Sequence, residues 1–181
     1  MQKEVLLKIA KDAILSEFDG RKIDREALIK KYPELLKKGA VFVTIKERGA
    51  LRGCIGSLIA HRPLIDDLIE NAKSAAFKDP RFMPLKPHEV DDINLEISIL
   101  SPYKKVEYRD VKDLKRKIRP NIDGVVLKLN GYQATFLPQV WEELPDFDTF
   151  FAHLCLKAGI NPKGCLEAHP EIYTYQVEKV E

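Results

Sequence analysis

The sequence predicts an α+β fold in which mainly antiparallel sheet is packed with helices. Apolar residues recur at helical spacing over residues 3–18, which indicates an amphipathic helix. Asn130-Gly131 separates two apolar runs and is a strong hairpin signal. Strands and helices are mixed along the chain and do not follow a regular βαβ order, which favours α+β over a doubly wound parallel sheet.

The first half of the chain contains three predicted helices and one predicted hairpin. Asp24 is a suitable N-cap for the second helix. Pro80 ends the third helix, because it disfavours the α conformation at Asp79. The predicted elements are helices over 3–18, 24–31 and 64–77 and strands over 41–45 and 51–59.

The second half is predicted to be richer in strands. A helix over 147–158 carries a stripe of aromatic residues and has Asp146 or Asp148 as its N-cap. A shorter helix spans 111–118 and has one apolar stripe. The predicted strands are 93–100, 125–129, 132–137 and 172–180.

Composition argues against polyanion-binding, membrane-spanning and disulfide-rich classes of protein. A net charge of +2 argues against a dominant role in binding polyanions. The chain has no apolar run long enough to span a membrane, so no membrane partner is expected. Cys54, Cys155 and Cys165 are odd in number and widely spaced, unlike a disulfide framework or a metal-binding knuckle. We therefore expect a protein of the reducing cytoplasm.

The stretch Leu51–Gly56 has the composition of a functional site. It places the Cys54 thiol between two glycines, with Arg52 two residues earlier. In a regular strand Arg52 and Cys54 share one face, where the cation lowers the pKa of a candidate nucleophilic thiol. Gly53 and Gly56 would let a ligand approach the backbone closely. The alternative is that Cys54 is a small buried side chain.

The sequence does not identify a second group as the catalytic partner of Cys54. His61 or His88 could act as a general base if folding brought either of them close. The histidines are scattered and the paired carboxylates are sequence neighbours, so no metal site or acid/base dyad is predicted. No nucleotide-binding or nucleophile-elbow motif is present, and we expect no cofactor. Whether the protein is an enzyme stays open.

The segment from Asp79 to Leu85 contains two prolines and is predicted to be a stiff loop. Such a loop can hold Asp79 and Arg81 as ligand-binding residues. The alternative is a connector in which these two residues cap a helix and pair with each other.

A basic stretch over residues 104–119 offers a different function, that of a nucleic-acid-binding module. Acidic residues alternate with its basic ones, which favours a solvated helix face instead. The residues that would contact nucleic acid are Lys104, Lys105, Arg109, Lys115, Arg116 and Arg119.

The stretch Leu51–Gly56 is similar to the signature of the AMMECR family, also called AmmeMemoRadiSam system protein A. The similarity continues in the family's order over nearly the whole chain. Its further blocks are Asp79–Phe82, Pro84-Leu85, Ile97–Pro102, Asp123-Gly124, Phe136–Val140 and Lys157–Gly159. We expect residues 1–181 to form a single AMMECR domain.

The resemblance implies a larger subdomain that contains both termini and a smaller subdomain from the middle of the chain. It also implies that the hexapeptide lies near a cleft, and that a Memo-like protein and a radical-SAM protein are partners. Our leading hypothesis is a cleft for a small ligand or substrate, with Cys54 as the reactive or contact residue. A non-catalytic adaptor, in which the hexapeptide is a rigid core element, is a third possibility.

Overall fold

The computed structural model describes residues 3–181, and the chain divides into two compact units. The larger unit comprises the described residues up to Leu100 together with Glu178–Glu181. The smaller unit comprises Ser101–Val177. The larger unit thus contains both ends of the described chain and the smaller unit comes from its middle, as the family resemblance implies.

The larger unit packs helices against one face of a sheet with strand order β2-β1-β4-β9, and β3 also pairs with β1. Its apolar core joins α1 and α3 to alternate residues of β1 and β4, such as Val43 and Ile97. The elements are α1 Lys3–Asp19, α2 Arg25–Lys31, β1 Lys38–Glu47, β2 Ala50–Gly56, β3 Arg62–Pro63, α3 Leu64–Phe77, β4 Ile93–Leu100 and β9 Val177–Val180.

The smaller unit is built on a four-stranded antiparallel sheet with strand order β5-β8-β6-β7. Its separate core is aromatic, and Trp141 stacks on Phe150 with ring centroids 3.6 Å apart. The elements are β5 Lys104–Val106, α4 Val111–Lys117, β6 Gly124–Leu129, β7 Tyr132–Phe136, α5 Val140–Glu143, α6 Phe147–Lys157 and β8 Glu171–Tyr175.

The helix signals in the sequence are confirmed. Asp24 and Asp146 cap α2 and α6, since their carboxylates accept hydrogen bonds from the backbone N–H groups of Ala27 and Thr149. Such caps satisfy donors that the first turn of a helix leaves unpaired. No helix within residues 3–181 is long and apolar enough to cross a membrane.

The predicted strand over 172–180 is wrong as a single element. It is divided at Gln176 into β8, which pairs with β5 and β6, and β9, which pairs with β4. The backbone of Gln176 hydrogen-bonds with Ser101 instead, through Gln176 N to Ser101 Oγ and Ser101 N to Gln176 O, both at 2.9 Å. Continuous apolar alternation therefore concealed a change of sheet.

The expectation that the three cysteines form no disulfide is also wrong. Cys155 of α6 is bonded to Cys165, and their Cα atoms are 6.6 Å apart. Both residues are buried in the core of the smaller unit. Spacing along the chain could not show this pairing, because the turn at Gly159 brings the segment after α6 back against the helix.

Candidate functional site

The hexapeptide Leu51–Gly56 lies on β2, the outermost strand on one side of its sheet. β2 pairs antiparallel with β1, so that Cys54 lies opposite Thr44. The neighbours of Thr44 in β1, Val43 and Ile45, belong to the apolar core. Because side chains alternate along a strand, Thr44 and Cys54 lie on the other face of the sheet.

The backbone of Cys54 is held by the side chains of Asp79 and Arg81, which we call the edge clamp. Asp79 Oδ2 accepts a hydrogen bond from the Cys54 N–H at 2.9 Å, and Arg81 Nη2 donates to the Cys54 carbonyl oxygen at 3.4 Å. The guanidinium also donates to both carboxylate oxygens of Asp79, at 3.0 and 2.8 Å. The clamp therefore satisfies groups that an edge strand otherwise presents to other chains.

The edge clamp is electrostatically fixed. Hydrogen bonds from the Arg81 guanidinium hold the pKa of Asp79 well below its usual range, although burial of the carboxyl opposes this shift. The same hydrogen bonds raise the pKa of Arg81. Asp79 is buried, and the backbone N–H of Arg81 also donates to its carboxylate at 3.1 Å. Both members of the clamp are therefore charged at neutral pH.

The environment of the Cys54 thiol favours its neutral form. Burial raises the pKa of the thiol, while the Thr44 hydrogen bond and the charge of Arg81 offset only part of that rise. The carboxylates of Asp79 and Glu96 raise it further. Thr44 Oγ1 lies 3.2 Å from Cys54 Sγ. Because the thiolate is the nucleophilic form, this arrangement does not activate Cys54 at neutral pH.

Both glycines of the hexapeptide are required by packing. A Cβ atom on Gly53 would lie 2.1 Å from the carbonyl oxygen of Ala75 in α3. A Cβ atom on Gly56 would lie 2.2 Å from the ring of Phe42 in β1. At each position the group that approaches the glycine closely belongs to the protein itself.

Arg52 does not lie beside Cys54 as a regular strand would place it. The register of β2 on β1 shifts by one residue at Arg52, and such irregularities redirect a side chain. Arg52 donates from Nε and Nη2 to the two carboxylate oxygens of Glu89, at 2.9 and 3.1 Å, and from Nη1 to the Met83 carbonyl oxygen at 2.9 Å. The cation that acts on the thiol is Arg81, and Arg52 braces the preceding part of β2.

Neither histidine candidate for a general base, His61 or His88, is among the described groups that act most strongly on the Cys54 thiol. His61 Nδ1 lies 3.0 Å from the Ile59 carbonyl oxygen, and His88 is exposed in a short 3-10 helix before β4. Within residues 3–181 no group of three or more histidine, cysteine, aspartate or glutamate side chains could hold a metal ion.

Asp67 is the important residue that sequence reasoning missed. Its Oδ2 accepts a hydrogen bond from the Val41 N–H at 2.9 Å, and its Oδ1 accepts from Ser57 Oγ at 2.6 Å and Arg62 Nε at 2.8 Å. Asn71 donates to Asp67 Oδ2 and to the Val41 carbonyl oxygen. Val41 lies in the gap between the parts of β1 that pair with β2 and β3. Asp67 supplies the acceptor for the Val41 N–H there, while the Val41 carbonyl oxygen also accepts from the Ser57 N–H at 3.0 Å.

Most cations of the basic stretch over residues 104–119 are ion-paired, although three of them share the single carboxylate of Asp113. Two lysines of the stretch that the nucleic-acid hypothesis names are not in these ion pairs: Lys115 lies over the ring of Phe147, and Lys104 is exposed. Its cations therefore present less free charge than the sequence suggests. The ion pairs are those of Arg109, Arg116 and Lys117 with Asp113, of Arg119 with Asp123, and of Lys105 with Glu171.

A groove of about 720 Å³ in the larger unit lies away from the hexapeptide. It runs between α1 and β4, and aliphatic side chains such as Leu7, Leu15 and Leu95 form part of its wall. No residue of Leu51–Gly56 lines this groove. This groove is therefore not the cleft that the family resemblance implies next to the hexapeptide.

Known proteins resemble this chain in both sequence and fold. Residues 7–180 match the AMMECR1 family. A protein of Methanothermobacter thermautotrophicus is 39% identical over 175 residues, which cover 96% of this chain and 90% of the relative. The crystal structure of an uncharacterized protein from Pyrococcus horikoshii superposes with a TM-score of 0.87 at 34% identity, over 98% of this chain and 89% of that one. The chain belongs to the AMMECR1 family.

Proposed function

We propose that Cys54 and Arg81 form a binding site for an anionic group, a carboxylate or a phosphate, on a small ligand. One observation carries this proposal. Arg81 uses Nε and Nη2 in the edge clamp, whereas its Nη1 has no hydrogen-bond partner among the described residues. The Arg81 side chain is 56% exposed, so a ligand can reach that nitrogen.

The clamp makes Arg81 a pre-organised donor. Its guanidinium is fixed by the Asp79 carboxylate and lies over the Phe82 ring, with Cζ 5.4 Å from the ring centroid. An arginine held in this way loses less conformational freedom on binding than a free one. Arg52, the residue that the sequence suggested for anion recognition, has all three guanidinium nitrogens engaged by Glu89 and Met83.

Cys54 acts in this proposal as a contact residue. A neutral thiol is a weak hydrogen-bond donor and a small apolar surface, which suits it to lie against a bound group next to Arg81. The raised pKa of Cys54 disfavours the alternative of a nucleophilic enzyme. We also propose that the protein acts in the cytoplasm. A reducing compartment keeps the Cys54 thiol free, and burial in the core shields the Cys155–Cys165 disulfide from cellular reductants.

Replacing Arg81 with glutamine tests the proposal. Inorganic phosphate and acetate, titrated separately at constant ionic strength, are expected to shift the backbone NMR resonances of Cys54 and Arg81 in the wild-type protein. We expect R81Q to weaken this binding by about tenfold or more, because a charge-assisted hydrogen bond contributes roughly 1.5 kcal/mol or more.

The matched control is Arg48→Gln, since Arg48 is an exposed arginine that is paired with Asp92 at 2.9 Å. It should leave the Cys54 shifts unchanged. Equal binding by wild type and R81Q, with both proteins folded by thermal unfolding, would exclude Arg81 as the anion-binding residue.

A further inference from the structure

The sheet of the smaller unit has two different faces. Side chains of one cross-strand row belong to the aromatic core that α4 and α6 cover. Side chains of the next row lie on the opposite face, because the direction alternates along each strand. The core row contains Val106, Ile172, Leu127 and Ala134, and the opposite row contains Lys105, Tyr173, Val126 and Thr135.

A tyrosine pair with an attached cation lies on this opposite face. The rings of Tyr103 and Tyr173 meet edge to face, with centroids 5.1 Å apart. Lys128 Nζ lies 5.5 Å from the Tyr103 centroid and 5.0 Å from the Tyr173 centroid. All three side chains are half-buried, so part of each ring is accessible to a ligand.

The charge of the face is positive. On this face Lys128 has no carboxylate partner among the described residues, while Lys105 Nζ lies 3.6 Å from Glu171 Oε1. The row next to Tyr173 places Glu171, Lys128 and Gln133 side by side across three strands. Two lysines, Lys105 and Lys128, against one glutamate therefore leave this face with a net positive charge next to the tyrosine pair.

A cavity of about 410 Å³ shares Lys128, Gln133 and Glu171 with this face of the sheet. Its lining includes hydrogen-bonding side chains, among them Lys128, Gln133 and His169, and the ring of Tyr132. The Tyr132 ring is 56% exposed. The cavity thus offers a further aromatic surface and polar groups of the kind that contact the edge of a nucleobase.

We propose that this tyrosine face, defined by Tyr103, Lys105, Lys128, Gln133 and Tyr173, binds single-stranded nucleic acid. Proteins that bind single strands combine aromatic side chains, on which bases stack, with lysine or arginine side chains along the phosphate backbone. Sheet surfaces serve this purpose because strand alternation presents such residues together on one face. Val126 in the same row is buried, so Lys105, Tyr173 and Lys128 form the accessible part of this face. Here the tyrosines stack on bases, and Lys105 and Lys128 contact phosphates.

Fluorescence anisotropy with a labelled oligouridylate of about ten nucleotides tests this proposal. Tyr173→Ala is expected to weaken binding about 5- to 100-fold, because it removes a stacking surface. Tyr173→Phe keeps the ring and should bind like the wild type. Lys128→Ala should also reduce the slope of log affinity against log salt concentration by about 0.7, the value for one lost phosphate contact on a single strand.

The matched control is Lys112→Ala, an exposed lysine of α4 on the helical side of the unit. It removes the same charge and should leave both affinity and salt slope nearly unchanged. The proposal is overturned if the wild type shows no saturable binding at about 50 mM salt. It is also overturned if Y173A binds as tightly as Y173F, or if K112A weakens binding as much as K128A.

Discussion

Replacing Gly53 with alanine is expected to lower the free energy of unfolding by about 3 kcal/mol or more, near or above the top of the usual range for overpacked sites. The added Cβ would lie 2.1 Å from the Ala75 carbonyl oxygen, which is helix backbone and cannot rotate away. β2 would have to separate from α3 to relieve this contact. Urea unfolding of the wild type and G53A, followed by circular dichroism, measures the difference.

The matched control is Gly49→Ala in the turn before β2. Its Cβ would meet no atom within 4 Å, so only the strain of its positive φ of 84° opposes the change. We expect G49A to cost about 1 kcal/mol. If G53A loses no more stability than G49A, the glycine is not required by the packing of β2 on α3. That result would favour the hypothesis from the sequence, that Gly53 allows a ligand to approach the backbone closely.

Asp67→Ala is expected to destabilise the protein by about 3–5 kcal/mol, the usual cost of removing one partner from a buried ionic network. Asp67 is fully buried and accepts hydrogen bonds from Val41, Ser57, Arg62 and Asn71. Its removal leaves the Val41 N–H and other donors without an acceptor. The same unfolding measurement tests this expectation.

Asp66→Ala is the control, because it changes the adjacent carboxylate in the same helix. Asp66 pairs with Arg25 at 2.7 Å, and both side chains are about one-third or more exposed. A pair of that kind contributes about 1 kcal/mol or less. Equal losses for D67A and D66A would contradict the role of Asp67 in joining α3 to β1.

Local signals in the sequence were sufficient for most of the fold. Helices are indicated by the spacing of apolar residues and by capping residues within one segment, as at Asp24 and Asp146. The hairpin at Asn130-Gly131 is set by its own turn chemistry. The division of residues 172–180 between two sheets depends on Ser101, far away in the chain. No pattern within the strand could therefore indicate it.

The site was predictable as a place but not as an arrangement. Cys54, Asp79 and Arg81 were all recognised as candidates, yet their contacts depend on how the loop after α3 folds onto β2. Thr44 and Glu96 reach the thiol through strand register, which one sequence does not specify. The irregularity at Arg52 had no signal in the residues themselves, so its side chain was assigned to the wrong neighbour.

The edge clamp holds a neutral Cys54 thiol beside Arg81. Cys54 is the free cysteine, so the alkylation rate with iodoacetamide reports on this thiol alone. Burial raises its pKa in the folded protein. The associated stability is therefore fully present below the pKa of the unfolded thiol and is lost as the pH rises through the folded value.

The most direct measurement is the alkylation rate of the folded protein from about pH 6 to about pH 10, with the protein unfolded in guanidinium as reference. We expect the alkylation rate of the folded protein to rise at a higher pH than the rate of the unfolded chain. The thiol of the unfolded chain titrates at about pH 8.5. A folded-state midpoint at or below that of the unfolded chain would show an activated thiolate and contradict the claim.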